Sequence, residues 1–365
     1  MTAFDSDVIV IGLGIHGTST AYELARRGVS VIALEQFEKG HTSGSSHGAT
    51  RMIRHAYPDP VWNPLVEGAF DGWRRWADDA GDDFVTTTGG LFAADGAGRL
   101  QGPGCVAVEP NQLASHFPSL RLPGDHFGVF DPSAGVVAAA RALEYASERA
   151  ATFGASLSYG ESLTSWARDG EGIVVETSHR TVRAKRLVLA AGPWTAKQVP
   201  ELASAFEVWR IVTLATQPGQ PSATPPLLGT FSLDRPEGLV FGIPETPDQG
   251  FKIGIDAGPV WDPDVPNPPP TPDEIRVLDE LMTSLVPGID TRGATATACL
   301  YTMTADRRFV VGALPHDDRV IVAAACSGHG FKFGPAIGEA AADLALGVDR
   351  HDLDFLSPAR PLAAS

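Results

Sequence analysis

Basic residues and cysteines are what this chain has little of. It carries 28 Lys and Arg against 44 Asp and Glu, a formal charge of −16. A surface of that sign repels phosphate backbones and anionic lipid, which argues against nucleic acid and membrane as partners. Only three cysteines occur, Cys105, Cys299 and Cys326, with neither a CxxC pair nor a metal-ligand spacing. The simple reading is free thiols in a reducing compartment; the sharper one is a single reactive cysteine. No apolar run reaches the roughly 20 residues needed to span a bilayer. The segment Met1 to Asp7 has two acids and no basic residue, and it leads straight into Val8-Ile9-Val10-Ile11. That reads as a first strand and not as a signal peptide. The closing Leu362-Ala363-Ala364-Ser365 is no peroxisomal address, so a cytoplasmic location is expected.

What the chain does have is a nucleotide-binding opening. Val8 to Ile11 is a continuous apolar run suited to a doubly covered parallel strand. Gly12, Gly14 and Gly17 follow as GxGxxG, then helical spacing from Thr18 to Gly28, then a second buried run from Val29 to Leu34. In such a unit the first glycine permits the turn, the second admits the pyrophosphate and the third allows close helix–strand packing. Glu35 ends the second strand 18 residues after Gly17, placed to accept hydrogen bonds from ribose hydroxyls. The motif does not separate NAD from FAD.

Further along, 137–150 is a helix candidate, Ile173–Glu176 and Thr181–Arg183 alternate as a hairpin, and Arg186 to Gly192 reads as a buried strand. From about 206 to 297 short strands broken by prolines suggest an antiparallel sheet. Seven prolines between Pro259 and Pro272 mark an exposed loop. It ends in Thr271-Pro272-Asp273-Glu274, a capping-box helix start. The end of the chain returns to a strand at Val320–Ala324, a glycine loop and a helix from about Pro335 to Leu346. A small polar run from Gly40 leads to His47, Arg51 and Arg54. If a helix begins near Ser46, these three share one face, and cations so close together ask for an anion. An exposed basic face paired with surface acids is the alternative.

Three segments carry a family resemblance: Ser45-Ser46-His47-Gly48-Ala49-Thr50-Arg51-Met52-Ile53-Arg54-His55, Cys299-Leu300-Tyr301-Thr302, and Ser327-Gly328-His329-Gly330-Phe331-Lys332-Phe333. With the opening fingerprint and Ala191-Gly192-Pro193-Trp194, the chain resembles monomeric sarcosine oxidase and N-methyltryptophan oxidase over nearly its whole length. The resemblance implies FAD bonded through its 8α carbon to the sulfur of Cys299. It implies that Arg54 and Lys332 bind a substrate carboxylate, that His47 and Arg51 flank the flavin, and that Lys252 in Phe251-Lys252-Ile253-Gly254 promotes the reaction of reduced flavin with O2. Cofactor contacts are expected at Gly12, Gly14, Gly17, Glu35, Ser45, Thr50, Arg51, Gly192, Cys299, Gly328, Gly330 and Lys332. The chemistry agrees: clustered cations favour the neutral amine that gives up a hydride, and they stabilise the anionic reduced flavin. Taken alone, Cys299 would be read as core. Cys326 reads as packing, Cys105 has no assigned role, and His329 reads as a loop-shaping residue.

Two substrate-side positions depart from the family. Phe241-Gly242-Ile243-Pro244 stands where a Tyr-Gly-Phe-Pro segment is expected, and Asp256 stands where the family has histidine. An acid there could hold a cationic group of the substrate or raise the pKa of the bound amine. The expected architecture is α/β and α+β: a Rossmann-like FAD-binding domain (1–84, 138–205 and 298–365) and a mainly antiparallel-sheet substrate domain (85–137 and 206–297). The expected activity is oxidation of a secondary α-amino acid by O2, in a monomer or small homo-oligomer with no metal. Open alternatives are a flavin dehydrogenase serving a quinone or protein acceptor, and a non-catalytic dinucleotide-binding sensor.

Overall fold

Residues 4–94, 100–122, 126–324 and 326–362 are described by a computed structural model. The strand Ser6–Ile11 pairs in parallel with Val31–Leu34 on one side and with Thr181–Leu189 on the other. Val31–Leu34 pairs onward with Ser156–Ser158, and Thr181–Leu189 pairs with Asp317–Ala324, all in parallel. The fully apolar runs are explained by cover on both faces: helices Ile15–Arg26, Ala139–Thr152 and Gly334–Ala345 pack with Val8, Val10 and Val188, while Ile9, Ile11, Leu187 and Leu189 bury on the other side with Val199, Leu202, Val310 and Leu314. Val8, Ile9 and Val10 are buried together with Leu187, Val188 and Leu189. The segments expected as a hairpin arm and a separate strand form one strand, Thr181–Leu189. Its first half pairs antiparallel with Gly172–Thr177 and its second half extends the parallel sheet.

A second sheet has eight strands in the order Thr295–Met303, Glu207–Ala215, Lys252–Asp256, Gly238–Ile243, Thr230–Arg235, Gly90–Ala94, Phe127–Asp131, Val106–Val108. Every pairing is antiparallel except that between Thr230–Arg235 and Gly90–Ala94. The expected boundary at 298 therefore falls inside the strand Thr295–Met303. One face of this sheet is covered by the helix Pro272–Leu285, whose Leu278, Met282 and Leu285 bury against Leu214, Phe231, Val240 and Ile253. The capping box at Thr271 is present, with Glu274 N donating to Thr271 Oγ1 at 3.3 Å and Thr271 N donating to Glu274 Oε2 at 2.7 Å. The other face of the sheet looks toward the first sheet and carries the side chains of the site.

The helix anticipated near Ser46 does not form. Residues 42–49 are bends, Gly48 has φ +94°, and Thr50–Ile53 is a strand paired with Gly135–Ala138. Together with Val85–Thr87 these make a three-stranded antiparallel sheet. A positive φ suits glycine and interrupts a helix, so the cations are brought together by a turn and a strand instead of a helix face.

Helices Ile15–Arg26 and Gly334–Ala345 touch through small residues. A Cβ on Gly338 would lie 2.4 Å from Ser19 Cβ and 2.6 Å from Ser19 C, and one on Gly334 would lie 2.4 Å from Ile15 Cγ1. Gly338→Ala should therefore destabilise the protein by about 1–3 kcal/mol and lower Tm in thermal unfolding. An unchanged Tm would show that the helices separate without strain.

Candidate active site

The GxGxxG turn is a cradle in which side chains cannot fit. Gly12 has φ +92°, and a Cβ on Gly17 would lie 1.8 Å from Gly12 O. A Cβ on Gly14 would meet Ser46 Oγ at 3.0 Å, where that hydroxyl accepts from Ile15 N. One amide at the helix N-terminus is thus already used by the loop. Glu35 is buried, and its carboxylate accepts from Leu13 N at 2.9 Å and Phe37 N at 3.1 Å, so it shapes the turn while it borders the cavity. This half of the site is a cavity of about 400 Å³ lined also by Gly12, Gly14, Gly192 and Trp194.

A second cavity of about 540 Å³ shares Ser45, Ser46, His47 and Cys326 with the first. Its floor is the loop and strand around Arg51. The Arg51 guanidinium donates to the carbonyls of Ser45, His47 and Thr50 at 2.9, 2.6 and 2.9 Å, tying the bends into one shape. Ser45 Oγ in turn donates to Leu300 O, which joins this loop to the strand that carries Cys299. Thr50 is buried: its hydroxyl donates to Gln249 Oε1, and its carbonyl accepts from Lys252 Nζ at 2.7 Å. His47 Nε2 is buried without a hydrogen-bond partner. Burial, then the charges of Arg51, His41 and Lys252, push the His47 pKa down to about 4, so the ring is neutral near pH 7.

The roof is the second sheet, read by its period of two. Thr297, Cys299 and Tyr301 face the cavity from one strand, Lys252 and Asp256 from another, and Leu239, Phe241 and Ile243 from a third. Phe241 pairs with Gly254, and its ring fills the place a Gly254 Cβ would need (2.5 Å to Cζ). Cys299 is buried and pairs with Ile211. Burial pushes its thiol pKa up, while Arg51, Lys252 and Arg210 pull it down. Lys252 is held well below the ordinary lysine range by burial and then by Arg51.

The far wall is the loop between the strand Asp317–Ala324 and the last helix. Ser327 has φ 43° and Gly328 φ 79°. A Cβ on Gly330 would meet Cys326 Cβ at 2.4 Å, so the loop can turn back only with glycine there. His329 ties it down: Nε2 donates to Arg307 O at 3.0 Å, leaving Nδ1 to accept from Tyr57 hydroxyl at 3.1 Å. The Lys332 ammonium donates to His329 O at 2.8 Å and is flanked by the rings of Tyr57 and Phe333 at 5.4 and 5.2 Å. Burial, then Arg54, hold Lys332 well below the ordinary lysine range. Arg54 lies against the faces of Phe92 and Tyr57 at 4.7 and 5.4 Å, its Nη1 buried without a partner. Among the described residues no acid pairs with it.

The cavities bring together His47, Arg51, Arg54, Phe241, Lys252, Asp256, Cys299, Gly328, Gly330 and Lys332. Gly12, Gly14, Glu35 and Gly192 line the adjoining cavity, and Ser45 lines both. Thr50 stands behind the wall and holds Lys252. Tyr57, Tyr301 and Arg307 also line the site and were not expected there. Tyr301 could have been found from strand alternation two residues past Cys299. Tyr57 and Arg307 had no such signal, because each reaches the site from an irregular loop. An FAD molecule fits this donor set: the glycine cradle would admit a pyrophosphate, the two cavities share lining residues, and His47 and the clustered cations would hold the polar edge of a ring that gains negative charge on reduction.

The comparisons with known proteins agree with this geometry. Residues 7–344 match the family model of FAD dependent oxidoreductases. The chain is 31% identical to monomeric sarcosine oxidase of Streptomyces avermitilis over 98% of each chain. It is 29% identical to peroxisomal sarcosine oxidase of Mus musculus, over 93% of this chain and 92% of that one. Among solved structures it is similar to NikD, an unusual amino acid oxidase essential for nikkomycin biosynthesis, with a TM-score of 0.84, 24% identity and all of both chains covered.

The depressed pKa of Lys332 gives a pH dependence with a definite sign. If Lys332 meets a bound carboxylate, it does so as the ammonium, so affinity would be full at low pH and lost as pH rises through the depressed pKa. Titrating a non-oxidisable carboxylate against flavin absorbance should show weakening of up to about tenfold per pH unit, beginning below the ordinary lysine range. Lys332→Met should bind more weakly with a flatter profile. A flat wild-type profile from about pH 6 to 10 would contradict this reading of Lys332.

Proposed function

Because this chain belongs to the family of FAD-dependent oxidoreductases, we propose that it is an oxidase of a secondary α-amino acid: an N-alkylglycine, an N-methyl amino acid or a cyclic relative. The observation that carries this is Arg54, a buried guanidinium with an unpartnered Nη1 in a cavity that also holds Lys332. A buried cation without an anion is unfavourable, and a substrate carboxylate supplies the missing charge with two-pronged geometry. Both named relatives are sarcosine oxidases, N-methyl amino acid enzymes by name.

When bound, FAD supplies the chemistry: it takes a hydride from a carbon next to nitrogen and passes two electrons to O2, giving H2O2. The chain's own groups set the conditions. Arg54 and Lys332 fix the carboxylate end, and with Arg51 and Lys252 they disfavour the ammonium form of the amine. Tyr301, Phe241 and Leu239 form the wall beside it and shut out water. Lys252, held by Thr50 O in a buried place, is the cation we assign to the oxygen-facing side. Cys299 is assigned as the covalent anchor, its sulfur joined to the 8α carbon of the flavin. The product imine hydrolyses in water. We place the enzyme in the cytoplasm, as a monomer or small homo-oligomer; among the described residues no helix is long and apolar enough to cross a membrane.

The covalent assignment is checked by acid precipitation. Wild-type protein should stay yellow, with the flavin mass on the peptide containing Cys299, and Cys299→Ser should release its flavin; free flavin from the wild type would exclude the bond. An oxygen electrode checks the acceptor. Substrate-dependent uptake is expected, and Lys252→Met should slow reoxidation of the reduced enzyme by about 100-fold or more while slowing reduction less. Dye reduction without oxygen uptake would make the protein a dehydrogenase.

A further inference from the structure

Like Asp234 two strands away, Asp256 is a carboxylate of the roof that lines the cavity. Its two oxygens have different surroundings. Oδ2 accepts from Arg307 Nη1 at 2.9 Å. Oδ1 is buried and, among the described residues, has no hydrogen-bond partner. It points toward the loop that carries Lys332: the Cβ that Gly328 lacks would lie 3.0 Å from Oδ1 and 2.9 Å from the Tyr301 ring. Arg307 reaches in from a residue with φ 55°, its guanidinium over the Trp209 ring at 5.2 Å. The carboxylate is thus clamped at one oxygen, and the other is buried beside Gly328 and Tyr301, which line the cavity with it.

A buried acceptor without a donor is unfavourable unless something donates to it. Among the described residues no protein donor bonds to Oδ1: Arg307 meets Oδ2, Lys252 donates to Thr50 O and Lys332 to His329 O. The missing donor must come from what enters the cavity. With the carboxylate end of that molecule on Arg54 and Lys332, the group left to face Oδ1 is an N–H.

We propose that Asp256 Oδ1 accepts the N–H of the bound amine, and that this bond makes the site selective for amino acids that keep an N–H, against N,N-dialkyl ones. This deepens the oxidase reading and rests on its placement of the carboxylate. Arg307 is a positioning residue: by holding Oδ2 it fixes which oxygen meets the substrate. A tertiary amine, having no N–H in its neutral form, would leave Oδ1 without a donor.

The test uses two ligands of one shape. Pyrrole-2-carboxylate offers an N–H beside its carboxylate, whereas furan-2-carboxylate offers an oxygen there. Each is titrated against the flavin absorbance of the holoenzyme. Wild type should bind the pyrrole about tenfold more tightly, as expected for a hydrogen bond to a charged acceptor. In Asp256→Asn, Arg307 keeps the amide oxygen, so the NH2 takes the place of Oδ1 and the preference should turn toward the furan. Asp256→Ala removes the acceptor and should bring the two ligands to similar affinity. Equal binding by wild type, or a pyrrole preference that survives in either variant, overturns the proposal. Binding is read without turnover, so a protein that shows this preference yet oxidises no amine would refute the oxidase reading and leave Asp256 in place.

Discussion

A guanidinium buried against two aromatic faces, paired with no acid among the described residues, is the constraint on which this site depends. Burial of an unpaired charge is among the more unfavourable things a fold can do, and the usual remedy is a carboxylate from the protein. Here the remedy is left to a ligand. Arg54 is lodged against Phe92 and Tyr57, and burial draws its pKa below the usual arginine value. Tyr57 in turn donates to His329, which holds the Arg307 carbonyl and, through its own carbonyl, the Lys332 ammonium. One hydrogen-bonded chain therefore sets the loop, the lysine and the arginine that clamps Asp256.

The rest of the fold serves to hold these groups apart from water and in register. The parallel sheet contributes both the glycine turn and the Ser327–Lys332 loop at the carboxyl ends of its strands. The second sheet contributes strands whose alternate residues face the same cavity while neighbouring residues bury against the helix Pro272–Leu285. A shift of one residue in any of these strands would turn Cys299, Lys252 or Asp256 into the apolar core. The long pairing of Thr295–Met303 with Glu207–Ala215, nine residue pairs in unbroken register, guards against that.

Much of this was legible in the chain. The apolar runs, the glycine spacing and the terminal acid at Glu35 made the βαβ unit readable, because its physics is local. The capping box at Thr271 was readable for the same reason. Arg51 and Arg54, expected at the site by resemblance, both line the cavity, but from a strand and its end and not from a helix. Four-residue spacing looks helical, and nothing local reveals that Thr50–Ile53 has a strand partner more than 80 residues away. Glu35 was expected to reach a ribose; that its carboxylate also accepts from the amides of Leu13 and Phe37 was not legible from strand and spacing. Tyr57 and Arg307 could not be anticipated, since an irregular loop carries no period. The unpartnered oxygen of Asp256 belongs to the same class of fact: its residue type is in the sequence, and its isolation exists only in the packed structure.

The central claim is that the unpaired charge of Arg54 is kept for a substrate carboxylate, and one comparison tests it most directly. The affinity of an N-methyl amino acid should be measured against that of its carboxamide, which keeps the shape and loses the charge. The account predicts that the amide binds about 100-fold or more weakly to wild type, and that Arg54→Met removes most of the difference. Equal affinity of acid and amide for the wild-type protein would contradict it.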